Sequence, residues 1–218
     1  SRAPCFVFEN LSQSSLFLSS VLEHADGFPQ VIAKTSNHCK LIDFKTVTNG
    51  KEVHLIFEFT TGDASGQNMV TIAAHALCEY LLAKSPITPH RWYLDGNMSG
   101  DKKATMNSFL YTRGKKVLAE TVIPRDVVRR CLHTEPEDMF EYWQISFMGG
   151  TQSGAIGSQG HFANALAALF IACGQDAACV SEASVGLTRM SVTDEGSLYV
   201  SVSLPNLIVG TVGGGTSL

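Results

Sequence analysis

The chain has 218 residues, 44% hydrophobic and 17% charged, enough apolar material to bury a sizeable core in one substantial domain or two small ones. Sixteen Lys+Arg against 20 Asp+Glu leave a net charge of −4, and no basic run exceeds three residues, which excludes the electrostatic footprint of a nucleic-acid binder.

In chain order, Leu11 to Glu23 has helical spacing and ends at HADGFP. Asn37 to Val47 reads as an extended segment, closed by an Asn49-Gly50 turn into a strand from Val53 to Thr60. In VHLIFEFT the residues Val53, Leu55, Phe57 and Phe59 alternate with His54, Ile56, Glu58 and Thr60, the period of a half-buried strand. After the turn TTGDASGQ, the residues Met69, Ile72, Ala73, Ala76, Leu77, Tyr80 and Leu81 follow the spacing of an amphipathic helix. These elements predict an α+β subdomain over residues 4–92, bounded by the two prolines of SPITPHRW. Residues 93–218 form the second part, beginning with a loop over 93–107. There VLAETVIP is a strand, Arg125 to Leu132 a charged helix, and GGTQSGAIGSQG a flexible loop. The loop leads into HFANALAALFIACG, a helix with Ala at five positions, and LYVSVSLP is a last strand with Leu198, Val200, Val202 and Leu204 on one face.

The six cysteines are scattered without a CxxC pair, which predicts a reducing compartment and no metal centre. The longest apolar run, Phe162 to Cys173, is interrupted by Asn164 and is shorter than the roughly 20 residues that cross a bilayer. No signal peptide opens the sequence, and both SRAPCFVFEN and GTVGGGTSL read as the interior of a longer polypeptide.

Several constellations carry chemistry. TGDASGQNM follows a strand and opens a helix, so its backbone N–H groups and the helix dipole can receive a phosphate, with Asp63 suited to a ribose hydroxyl. The competing reading is a capped helix with Ser65 or Asp63 as the N-cap. GTVGGGT, Gly210 to Thr216, is either a wrap for a pyrophosphate or a mobile tail. His161 and Asn164 lie three apart and can share a helix face. Asp176 sits among small and apolar residues, where a buried carboxylate needs a partner. Lys102, in GNMSGDKKATMN, would serve; by itself that segment reads as a solvated loop.

Taken together, TGDASGQNM, GDKKATMN with RGKKVLAETVIP, GHFANALAALFIACGQDAA and LPNLIVGTVGGGT resemble the catalytic domain of 3-hydroxy-3-methylglutaryl-CoA (HMG-CoA) reductase, more like its eukaryotic, NADPH-using branch. The resemblance implies a ferredoxin-like dinucleotide-binding subdomain joined to part of a larger, helix-rich α+β substrate domain. It implies two hydride transfers from NADPH that reduce HMG-CoA to mevalonate and free CoA. By resemblance Lys102 is the cation beside the reacting carbonyl and Asp176 its hydrogen-bond partner. Arg2, Asp101, Lys103, His161 and Asn164 match substrate-binding positions. Ser36, Asp63, Ser65, Gly66, Gln67, Asn68, Val212, Gly213 and Gly215 match cofactor-binding ones. The family further implies a homodimer or homotetramer with the site at the subunit interface, and a cytoplasmic domain whose parent can be anchored in the endoplasmic reticulum membrane by a segment not present here.

The departures are specific. The family also uses a glutamate from an upstream ENVIG-like segment and a downstream histidine, and this chain holds neither. Asp95 stands where the family has a serine, and WQISFMGGTQSG lacks the family's substrate lysine, with Ile145 or Ser146 nearby. Asn37 replaces an arginine near the 2′-phosphate of NADPH, with His38 or Lys40 as possible compensation. These departures open two alternatives: a catalytically incomplete homologue that serves as a CoA or dinucleotide-binding module or scaffold, and a reductase of another CoA thioester.

Overall fold

A computed structural model describes residues 1–213. It divides into two compact units, residues 1–101 with 210–213, and residues 102–209.

The first unit follows the order βαββαβ. Its elements are β1 (Cys5–Val7), α1 (Leu11–Glu23), α2 (Phe28–Ala33), β2 (Lys40–Asn49), β3 (Glu52–Thr60), α3 (Gln67–Lys84) and β4 (Arg91–Tyr93). The sheet order is β2-β3-β1-β4, and every neighbouring pair is antiparallel. That is the ferredoxin-like arrangement expected from the resemblance. The hairpin pairs Asn49 with Glu52, and Gly50 at φ +60° supplies the left-handed turn residue. Asn10 starts α1 by accepting a hydrogen bond from the Gln13 N–H at 3.0 Å. The core joins Phe6 and Phe8 of the sheet to Phe17, Phe28 and the α3 residues Ala73, Ala74, Leu77, Cys78 and Leu81. Burial there pushes the Cys78 thiol up to about 12.

Two sequence-based faces are corrected here. Of the expected face of α3, Ala73, Leu77 and Leu81 are buried and Met69, Ala76 and Tyr80 half-buried, but Ile72 is exposed beside Asn68, His75 and Glu79, and Val70, Ala74 and Cys78 join the buried side instead. On β3, His54 is buried beside Val53 and Leu55. A Cβ on Gly96 would lie 2.7 Å from its Nδ1, so the glycine admits the ring.

The second unit contains α4 (Asn107–Leu110), β5 (Lys115–Ile123), α5 (Arg125–Val127), α6 (Pro136–Ser153), α7 (Phe162–Ala172), α8 (Val180–Ala183), β6 (Leu187–Val192) and β7 (Leu198–Leu207). Its antiparallel sheet has the order β5-β7-β6. The expected charged helix is one α turn followed by a wider π turn over Val128–Leu132, ended by His133 at φ +56°. α6 and β6 went unread in the sequence. Pro136 at the first position and Gly154 at the left-handed stop delimit α6, so Gly149 and Gly150 are helical and the expected flexible loop begins only after Ser153. The Trp143 indole N–H donates to the Thr188 carbonyl at 2.6 Å and fastens α6 to β6.

Apolar side chains stay exposed on this unit: Leu118 and Val122 of β5, Tyr142, Ile145 and Met148 of α6, and Leu169 and Ile171 of α7. No helix among the described residues is long and apolar enough to cross a membrane.

Candidate active site

In the second unit the chain brings Lys102 to Asp176. The ammonium Nζ donates to Asp176 Oδ2 at 2.7 Å, across 74 residues of sequence. The pair is half-buried, with side-chain exposures of 36% and 18%, so Asp176 is less enclosed than its apolar neighbours suggested. Its second oxygen, Oδ1, accepts the Ala178 N–H at 3.0 Å and starts a 3-10 turn over Ala177–Cys179. One carboxylate thus shapes its own loop and holds the lysine.

Lys102 itself lies in the left-handed region at φ +57°. A non-glycine residue there costs about 1–2 kcal/mol. Contacts missed in the sequence hold it: its N–H donates to Glu182 Oε2 at 2.9 Å, and its carbonyl accepts from Ser181 Oγ at 2.7 Å. Glu182 is 1% exposed and is paired with Arg113 at 2.6 Å. The signal was the one that singled out Asp176, an acid amid small and apolar residues in AACVSEASVG.

In the first unit Arg2 is the organising cation. Its guanidinium donates to Asp101 Oδ2 at 2.6 Å, to Thr71 Oγ1 at 3.0 Å and to the Gln67 carbonyl at 3.5 Å. The acid just before Lys102 is thereby tied to the first turn of α3. Asp101 is buried and Lys103 exposed. Asp95 is exposed and accepts the Asn97 N–H at 2.9 Å.

The turn before α3 is built of backbone. The N-cap is Gly66 at φ +73° and no side chain caps the helix, which overturns the reading of Ser65 or Asp63 as its cap. First-turn amides have no acceptor within the helix, and the positive end of an 18-residue helix faces this turn. Asp63 and Asn68 are exposed, and Ser65 is half-buried. The segment Gly210–Gly213 packs on the same turn: the N–H groups of Thr211 and Val212 donate to the Asp63 carbonyl at 2.8 and 3.3 Å. A Cβ on Gly210 would collide with the backbone of Ser65 and Ala64, so only glycine permits this approach. Val212 is exposed and Gly213 sits at φ +68°. Gly215 lies outside the described residues. An uncapped helix start beneath a glycine-lined turn suits the phosphates of a dinucleotide, so these residues fit such a group.

The remaining expected positions stand apart from these contacts. Ser36 accepts the His38 N–H at 3.1 Å, while Asn37, His38 and Lys40 are exposed. His161 is exposed at φ +64°, at the position before α7, so it does not share a helical face with the exposed Asn164. Ile145 and Ser146 are exposed on α6.

The hydroxymethylglutaryl-coenzyme A reductase family model matches residues 1–218. The chain belongs to this family. It is 39% identical over 218 residues to the 3-hydroxy-3-methylglutaryl-coenzyme A reductase of Pyrococcus abyssi, covering 99% of this chain and 53% of that protein. Against the reductase of Haloferax volcanii the identity is 38%, covering 100% and 53%. Against reductase 1 of Dictyostelium discoideum it is 34%, covering 100% and 40%. The chain therefore spans about half the length of these relatives. Among solved structures, the class II 3-hydroxy-3-methylglutaryl-CoA reductase of Streptococcus pneumoniae, bound to NADPH in open conformations, superposes with a TM-score of 0.62. That match has 16% identity, covers 98% of this chain and 59% of that one, and shows a shared fold.

Proposed function

We propose that the protein is an NADPH-dependent reductase of HMG-CoA, releasing mevalonate and CoA. The observation that carries this is the Lys102–Asp176 contact at 2.7 Å, in a chain of the reductase family. Reduction of a thioester carbonyl places negative charge on its oxygen. An ammonium already fixed by a carboxylate and a shaped loop stabilises that charge without the reorganisation that a hydrated cation needs. Asp176 supplies the fixing contact.

NADPH, when bound, supplies the hydride. The first unit offers it the start of α3 and the Gly210–Gly213 turn. Asp63 is assigned to a ribose hydroxyl, Ser65, Gln67 and Asn68 to polar contacts, and Gly66, Val212 and Gly213 to close backbone approach. Ser36, with His38 and Lys40 nearby, is the proposed region for the 2′-phosphate, and Asn37 weakens that part of the reading. Arg2, Asp101 and Lys103 are assigned to the acyl end of the substrate, and His161 and Asn164 to the CoA side. The apolar side chains exposed on β5, α6 and α7 support burial in a homo-oligomer.

The test is NADPH oxidation by the whole protein with HMG-CoA, beside Lys102→Ala. A loss of about 100-fold or more in kcat is expected, and equal rates refute the role of Lys102. Asp95 and the missing lysine in α6 favour one second reading, a different acyl-CoA. A thioester panel that includes acyl groups without a terminal carboxylate decides between the two.

A further inference from the structure

Three side chains of one short stretch, Asp176 to Glu182, grip Lys102, one of them at its ammonium. The other two meet its backbone: Ser181 Oγ donates to the carbonyl at 2.7 Å and Glu182 Oε2 accepts the N–H at 2.9 Å. They hold a residue whose left-handed conformation, φ +57°, is locally unfavourable. Without them the loop would relax toward a commoner backbone and swing the side chain away.

Glu182 suits this task because it is itself immobile. It is fully enclosed, and Arg113 donates one nitrogen to both carboxylate oxygens at 2.6 and 2.7 Å. Arg113 is fixed in turn. Its N–H donates to Asn206 Oδ1 at 2.7 Å, and the Asn206 amide donates to Ser108 Oγ at 3.0 Å. The next residue, Gly114 at φ +78°, lets the chain pass where a Cβ would collide with the Leu207 carbonyl. The chain Asn206–Arg113–Glu182–Lys102 therefore runs from a sheet strand to the amide of the reacting lysine.

We infer that Glu182, with Arg113 as its counter-ion, is a positioning residue that sets the ammonium of Lys102 through that lysine's own backbone; this rests on the role of Lys102 proposed above. A merely structural ion pair would act on the fold as a whole. A positioning one acts on kcat through Lys102.

The experiment compares the whole protein with Glu182→Gln and with the double variant Arg113→Met/Glu182→Met. The double variant removes both charges together, a replacement that buried pairs tolerate. Displacing a reacting group by roughly 1 Å costs about 100-fold, so both variants are expected to lower kcat by about 10- to 100-fold. KM for HMG-CoA and NADPH should stay within about twofold. The Lys102 amide should exchange its hydrogen at least about 10-fold faster in the double variant, as a hydrogen-bonded amide does when its acceptor is removed. A folded double variant with the parent kcat, or unfolding of both variants, overturns the inference. If the parent protein turns over no HMG-CoA, the proposed function fails by itself. Amide exchange then still decides here, since unchanged protection of Lys102 refutes the positioning role.

Discussion

Replacing Asp176 with Asn separates the rate effect of the lysine's partner from its effect on stability. The amide is nearly isosteric and its Oδ1 can still accept from Ala178 N–H, so the 3-10 turn persists. What disappears is the charge opposite Lys102 Nζ at 2.7 Å. Because the Lys102 side chain is 36% exposed, solvent screens the pair, and the stability cost is about 1 kcal/mol or less. For a fold of this size that lowers Tm by about 2–4 °C. Hydrogen bonds to charged groups contribute about 1.5–3 kcal/mol where they are desolvated. If that stabilisation is expressed on the reacting oxygen, kcat falls about 10- to 150-fold. The assay is NADPH consumption by the whole protein with HMG-CoA, run beside a thermal melt. A kcat within twofold of the parent refutes the reasoning, and so does a rate loss that merely follows a collapse in Tm.

Gly210→Ala would drive a methyl group into the backbone of Ser65 and Ala64. NADPH affinity, titrated by calorimetry, should fall by about tenfold or more, an interaction loss near 1.4 kcal/mol. Arg2→Met leaves Asp101 buried without its guanidinium partner, the two side chains being 12% and 9% exposed. Urea unfolding should show a loss of about 3–5 kcal/mol, which Arg2→Met/Asp101→Leu largely restores. Lys102→Gly relieves the left-handed strain while deleting the cation, so stability should stay within about 1 kcal/mol of the parent. Turnover should fall by about 100-fold or more in the same protein. Finally, Arg125 holds the Glu137 carboxyl, and Arg129 with Arg125 the Glu135 carboxyl, below the usual range by hydrogen bonding. Their stabilisation is complete above the unfolded glutamate pKa and is lost as pH falls through the depressed folded values. Glu137→Gln should flatten that acid limb of the melting curve.

Much of the first unit was legible because its local signals agree with its fold. The helical spacing of Leu11 to Glu23, Asn49-Gly50 between two extended runs, and TTGDASGQ before a helix each mark an element or its boundary. The second unit was harder to read for a physical reason. The apolar residues of α6 are spread over exposed positions, so Tyr142, Ile145 and Met148 leave no clean stripe, and its two glycines imitate a loop. Leu187 to Val192 pairs with β7 and, through Leu187, with Ser158, and the burial of that strand alternates weakly.

At the site, Asp176 was found because an acid among apolar residues demands a partner. The same demand applied to Glu182, which is more deeply buried. The difference lies in what each partner contributes. Asp176 meets a side-chain charge, whose residue type is visible in any sequence. Glu182 meets an arginine 69 residues away and also a backbone amide 80 residues away, and an amide carries no residue-type signal. Nor does the sequence announce that Lys102 is left-handed, since Gly100, two residues earlier, already offers a turn at φ +70°. A lysine at a strained backbone position persists only where its surroundings over-determine it. Three contacts from one seven-residue stretch do so here, which makes the backbone of Lys102 as much a part of the candidate site as its ammonium.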